Sequence, residues 1–160
     1  MATLVVGISD LKVAAAPDIL VTYALGSCVG TCLLDPATRV GGLSHIMLPQ
    51  SSASPSDPNV MKFADTAIPE LIRQMELKGA RRNRLVAKIA GGAQMFDLQN
   101  KNPMWQIGQR NVQAVLQILG QLRIPVAAQD VLANYGRTTF FDPSTGIMTV
   151  KSINKNIKEL

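Results

Sequence analysis

The chain has 160 residues, 47% hydrophobic and 17% charged, which excludes a disordered polymer and fits one globular domain, 1–160, with room for a sizeable core. Its two cysteines, Cys28 and Cys32, cannot staple a fold of this size, so they read as free thiols of a reducing compartment, the cytoplasm. The net charge of +5 is dispersed and aromatic residues make up only 4%; a nucleic-acid stacking platform is not indicated, and an acidic protein partner is the better use of the charge.

The opening "MATLVVGISDLK" has neither a basic leader nor a long apolar run, so no signal peptide is expected. Strands are predicted at "TLVVGI", "ILVTYAL", "VGTCLL" and "VGGLSHIML", bounded by Gly, Pro and Asp. The charge-free run from Ile19 to Leu34 is interrupted by Thr and Gly and falls short of the roughly 20 apolar residues a membrane-spanning helix requires, so no membrane insertion is expected. "PQSSASPSDPNV" reads as a mobile loop. A helix follows from Met61 to Lys78, with Ala64, Ile68, Leu71, Ile72 and Met75 at helical spacing and Gly79 as its stop. Pro69 inside it should kink the helix or mark a restart. The basic cluster Lys78, Arg81, Arg82 and Arg84 lies at the end of this helix, where cations complement the dipole.

Next come a strand at "LVAKIA", a polar loop at "DLQNKNPMW", and a second helix from Gln109 to Leu122 with Val112, Val115, Leu116, Leu119 and Leu122 on one face. Strands at "IPVAAQDVL", "RTTFF" and "IMTVKSI" complete the pattern, the last two joined by the turn "DPSTG". The fold class is α+β, with many strands and two main helices.

One constellation carries chemistry. His45, the only histidine, shares a predicted hairpin with Cys28. If Asp35 to Thr38 form the turn, Leu34 faces Arg39 and Cys28 directly faces His45, at the Cβ separation of about 5 Å that opposed residues keep. A one-residue slip would send His45 to the other face. An imidazole beside a thiol lowers its pKa and supplies a proton to a leaving amine. The Gly-Ser turn before Cys28 can aim backbone N–H groups, at Ser27 and Cys28, at a developing oxyanion. Three readings stay open on these residues alone: a catalytic pair, a buried cysteine with a structural histidine, and a metal site of Cys28, Cys32 and His45 that lacks a fourth ligand. Cys32 reads as packing.

The blocks "VTYALGSCVGTCLLDP", "GGLSHIMLP", "KFADTAIPEL", "AKIAGGAQMF" and "IGQRNV" resemble, in order, the signature of the CheD family of bacterial chemoreceptor glutamine deamidases, from Val5 to Ile153. The resemblance implies a mixed β-sandwich-like core flanked by helices, similar to the cysteine-hydrolase fold of deamidating toxins. It implies Cys28 as nucleophile, His45 as acid and base, and Thr22 as the residue that orients the imidazole, with neither metal nor organic cofactor. Its implied partners are methyl-accepting chemotaxis receptors as substrate and the CheC phosphatase. The alternative it implies is a regulatory adaptor that binds both with little turnover. Two departures stand out: Leu132 and Ala133 in "VLANYGR" replace a usual Gly-Gly pair, which should divert the loop, and Pro69 replaces the usual helix residue.

Overall fold

Period-two patterning dominates this chain, and the computed structural model turns it into two five-stranded sheets packed face to face, with two helices covering one outer face. The structure describes residues 1–94, 106–154 and 156–160. The predicted loop "DLQNKNPMW" lies outside the described residues.

The elements in chain order are β1 (Thr3–Val5), β2 (Asp10–Ala15), β3 (Ile19–Leu25), β4 (Val29–Asp35), β5 (Val40–Ile46), α1 (Ala64–Leu77), β6 (Val86–Gly91), α2 (Ile107–Gln121), β7 (Val126–Val131), β8 (Arg137–Asp142), β9 (Ile147–Ser152) and β10 (Ile157–Glu159). One sheet has the order β1-β3-β8-β9-β10 and the other β2-β5-β4-β6-β7. Both are mixed: β1 runs parallel to β3, β6 runs parallel to β7, and the other pairs are antiparallel. The α+β class and the sandwich-like core therefore hold.

Every residue of β4 and β5 is buried, because their sheet is covered on both faces, as the near-continuous apolar runs require. Cys32, Leu34, Leu43 and Ala90 point to the other sheet and meet Leu20, Leu25, Phe141 and Met148. Val29, Leu33, Ile46 and Ile89 point the other way, into a core with Ile68, Leu71, Ile72 and Met75 of α1 and Val112, Val115 and Leu119 of α2. Each such side chain contributes about 1.5–3 kcal/mol of burial.

Several expectations need correction. Pro69 neither breaks nor restarts α1, which is continuous from Ala64 to Leu77. Proline forfeits one backbone bond, and the buried stripe that flanks it, Ile68, Leu71 and Ile72, outweighs that loss. The "PQSSASPSDPNV" loop is hydrogen-bonded to the fold at Ser51 and Asn59. The Ser51 N–H and hydroxyl both donate to the Asp65 carboxylate, and the Asn59 side chain reaches the Ser9 carbonyl. The basic cluster is also partly consumed, since Arg84 pairs with the fully buried Asp35 at 2.7 Å and Arg82 with Glu76 at 3.1 Å. The Arg84 guanidinium, with the Arg81 and Ala37 N–H groups, holds the Asp35 carboxyl well below the usual carboxylate range.

Strands β2 and β10 escaped the sequence reading. "DLKVAA" is rich in residues of low strand propensity, and β10 is three exposed residues held only by pairing with β9.

The helix ends follow one scheme. In α1 the Ala80 N–H bonds to the Met75 carbonyl and the Gly79 N–H to Glu76, the double bond that closes a helix through a left-handed residue. In α2 Arg123 takes that left-handed place, at φ 58°, with the Ile124 N–H on Leu119.

Leu132 and Ala133 take up positive φ despite their side chains. Both adopt the left-handed conformation that glycine favours, at φ 68° and 62°. The loop is held to the end of β6 by the Leu132 N–H on the Gly91 carbonyl and the Gln94 N–H on the Ala133 carbonyl. A left-handed residue with a Cβ costs roughly 1–2 kcal/mol, partly offset by the smaller entropy its chain loses on folding. The double substitution Leu132→Gly with Ala133→Gly is therefore expected to raise stability by about 1 kcal/mol, read as a higher denaturation midpoint in urea. An unchanged or lower midpoint would show that the packing of Leu132 outweighs the strain.

Candidate active site

The hairpin that carries the histidine is shifted by two residues from the expected register. Asp35 pairs with Val40, so Gly30 faces His45 and Cys28 lies one residue before β4. The Asp35 side chain explains the displaced turn, which keeps four residues but starts one position later: it accepts the Ala37 N–H, while its carbonyl accepts the Arg39 N–H with Arg39 at φ 58°. Because side chains alternate with a period of two, a two-residue shift keeps Cys28 and His45 on the same face. They are diagonal rather than direct neighbours. Gly30 stands between them in register and puts no side chain into the gap.

That face looks onto the opposite sheet, which supplies the third residue. Thr22 on β3 is fully buried, and its Oγ1 lies 2.7 Å from His45 Nδ1 and 2.7 Å from the Val6 carbonyl oxygen. These two distances settle the imidazole's tautomer. A carbonyl only accepts, so the single hydroxyl proton goes to Val6, and Oγ1 must accept from Nδ1–H. The neutral ring therefore carries its lone pair on Nε2, the atom a general base uses. Among the described residues Nε2 has no hydrogen-bond partner.

Cys28 is half-buried, and its neighbouring backbone is tied on one side. The Gly26 carbonyl accepts the Ala93 N–H at 2.8 Å, and the Cys28 carbonyl accepts the Gly92 N–H at 2.8 Å. The Ser27 carbonyl accepts from the Asn111 side chain at 2.9 Å. The last turn of β6 comes close enough that a Cβ on Gly91, which sits at φ 109°, would lie 2.3 Å from the Cys28 carbonyl oxygen. Only glycine fits there.

Burial sets the charges. It pushes the His45 imidazole down to about 4 and the Cys28 thiol above its ordinary value. The Cys28 N–H, which faces its own sulfur, is the one contact that favours the thiolate. Both shifts favour the uncharged forms, the opposite direction from the lowered thiol pKa expected from the sequence. Cys32 is fully buried in the inter-sheet core, where burial raises its thiol strongly, and it shows no exposure to react.

The structure thus brings Thr22 and His45 into contact and sets Cys28 on their face, while Ser27 contributes its backbone. The sequence reading assigned no role to Asn111 or to Gly91. A signal for Asn111 existed: it falls one helical turn before Val115, on the apolar stripe of α2, and an amide there demands partners. Replacing Thr22 by Val preserves shape and removes the acceptor for Nδ1–H. Thr22→Val is expected to lower kcat about 10–100-fold with a smaller change in KM, measured on the substrate proposed below. Full activity would remove Thr22 from the site.

The polypeptide is a two-sheet α+β protein with a hydroxyl-braced imidazole and a cysteine on one inner face. Residues 47–152 match the family model described as CheD chemotactic sensory transduction. The chain belongs to the CheD family. It is 48% identical, over 97% of its length and 96% of the relative's, to a protein of Lachnoclostridium phytofermentans named probable chemoreceptor glutamine deamidase CheD. A Clostridium botulinum protein of the same name is 49% identical over the same shares. The family model begins beyond Thr22, Cys28 and His45, and the long alignments to these relatives extend into that N-terminal part.

Proposed function

We propose that this protein hydrolyses the side-chain amide of specific glutamines in chemoreceptors, giving glutamate and ammonia. The observation that carries the mechanism is the hydroxyl-fixed tautomer of His45, whose free Nε2 lone pair lies on the face that bears Cys28. When substrate closes over the site, Nε2 takes the thiol proton and Sγ attacks the carboxamide carbon. The carbonyl electron pair moves onto oxygen, where backbone N–H groups at Ser27 and Cys28 receive it. Collapse expels the amine as Nε2–H protonates it, leaving a thioester and ammonia. Water, deprotonated by Nε2, then releases the glutamate carboxyl and returns the proton to sulfur. Each atom is accounted for, and no cofactor enters the scheme.

The substrate segment on this reading is an acidic receptor helix, towards which a chain of net charge +5 is steered in the cytoplasm. The test is incubation with a chemoreceptor cytoplasmic fragment followed by mass spectrometry, with gains of about 1 Da at defined glutamines expected (amide to acid). No gain on any receptor fragment would reject the activity.

A second reading has one observation in its favour. Nε2 is unengaged among the described residues, and burial disfavours charge on both groups, which suits an adaptor that binds receptors and a CheC-type phosphatase with slow turnover. The two readings separate on turnover by the purified protein: an adaptor binds the receptor fragment and converts few of its glutamines, whereas an enzyme converts them catalytically.

A further inference from the structure

Asn111 is fully buried near the start of α2, and its side-chain nitrogen donates to two carbonyls from different elements. One is that of Ser27, immediately before the cysteine, at 2.9 Å; the other is that of Met47, two residues after the histidine, at 3.0 Å. Two carbonyls only accept, so both amide protons are used and the orientation of the amide group is determined. Asn111 thus ties the strand that leads into Cys28 to the strand that carries His45.

The consequence for the site follows from peptide planarity. In a trans peptide the C=O of one residue and the N–H of the next point in opposite directions. Holding the Ser27 carbonyl towards α2 turns the Cys28 N–H away from α2. The Ala93 N–H on the Gly26 carbonyl does the same for the Ser27 N–H. Among the described residues no other residue takes the N–H of Ser27 or of Cys28, and the Cys28 N–H faces only its own sulfur. Two adjacent donors thus lie beside the sulfur with no partner from another residue, while the three carbonyls around them are all engaged behind.

We infer that Asn111 is a positioning residue, which holds the Ser27–Cys28 peptide so that its N–H faces the oxygen of the acyl group attacked by Cys28. This rests on the reading of Cys28 as an acyl-transfer nucleophile. Asn111 touches neither substrate nor sulfur; it acts by fixing a peptide plane.

A merely structural amide would disturb all chemistry at Cys28 alike, and two reagents tell the cases apart. Acylation of Cys28 by p-nitrophenyl acetate passes through a tetrahedral oxyanion as Sγ bonds to carbon and p-nitrophenolate leaves. Alkylation by iodoacetamide displaces iodide directly and forms no oxyanion. Asn111→Asp keeps the shape but sets a carboxylate oxygen against two carbonyls, and Asn111→Ala removes the tie. Both rates are measured on the whole protein, with Cys28→Ala as the blank and thermal melting as the check on folding.

Acylation is expected to fall at least about tenfold in a folded variant while alkylation stays within about twofold. Equal losses in both rates, unchanged acylation, or failure of both variants to fold would overturn the inference. Receptor-glutamine conversion by the wild type is scored separately. A wild type that deamidates nothing, yet loses acylation selectively on substitution of Asn111, would reject the proposed substrate and keep the positioning role.

Discussion

Cys28→Ala is expected to abolish conversion of receptor glutamine, lowering kcat by at least about 10³-fold, while the protein stays folded. The residue lies outside the strands and half-buried, and its neighbours are held through their own backbone carbonyls rather than through sulfur. Removing Sγ therefore takes the nucleophile and little else. Cys32→Ala is the matched control, on the same face of β4 but buried in the inter-sheet core. It should keep most of the activity and lose about 1 kcal/mol of stability for the small cavity it leaves. Equal loss of turnover in both variants would refute the assignment. Alkylation of the native protein should label Cys28 alone, with a midpoint above that of an ordinary thiol because burial disfavours the thiolate. A midpoint below that value would mean that an ion pair with His45 exists at rest.

The second large effect is on stability, and it comes from His45. The folded imidazole titrates near 4, below the roughly 6.5 of an unfolded chain. The unfolded state therefore binds the proton first as pH falls. The contribution is fully present above pH 6.5 and is lost progressively down to about pH 4, below which both states are protonated. The difference corresponds to about 3 kcal/mol. Urea unfolding between pH 7 and pH 4 should show this loss, and His45→Gln should remove most of it. Carboxylates add their own loss, but in a lower window: the Arg73 guanidinium holds Glu70 at about 2, so stability from that pair fades only as pH drops from the ordinary carboxylate range towards 2. A wild-type profile flat from 6.5 to 4 would contradict the burial of a neutral His45. The same ionisation bounds catalysis. Activity needs an unprotonated Nε2 and so should survive to near pH 4.

The amino-acid sequence by itself determined the α+β class, both helices, most strands, the β8–β9 hairpin and the pairing of Cys28 with His45 on one face. These are local properties: the period of an apolar pattern, the residues of a turn, the parity of two positions on one hairpin. Parity survived even though the register moved by two residues, because a strand's faces repeat every second residue.

Only the tertiary structure decided the rest. Whether Leu132 and Ala133 would take a left-handed path depended on the hydrogen bonds that hold their loop to β6. Whether Pro69 would end α1 depended on the core it packs into. The state of the site depended on distance and burial: Thr22 reaches His45 from the other sheet, Asn111 reaches Ser27 from a helix, and the inner face disfavours charge on thiol and imidazole. The residues joined by these contacts are 23 and 84 positions apart in the chain. No periodicity or propensity connects positions so distant, since the dielectric surroundings and the partners of a group exist only once the layers have closed over it.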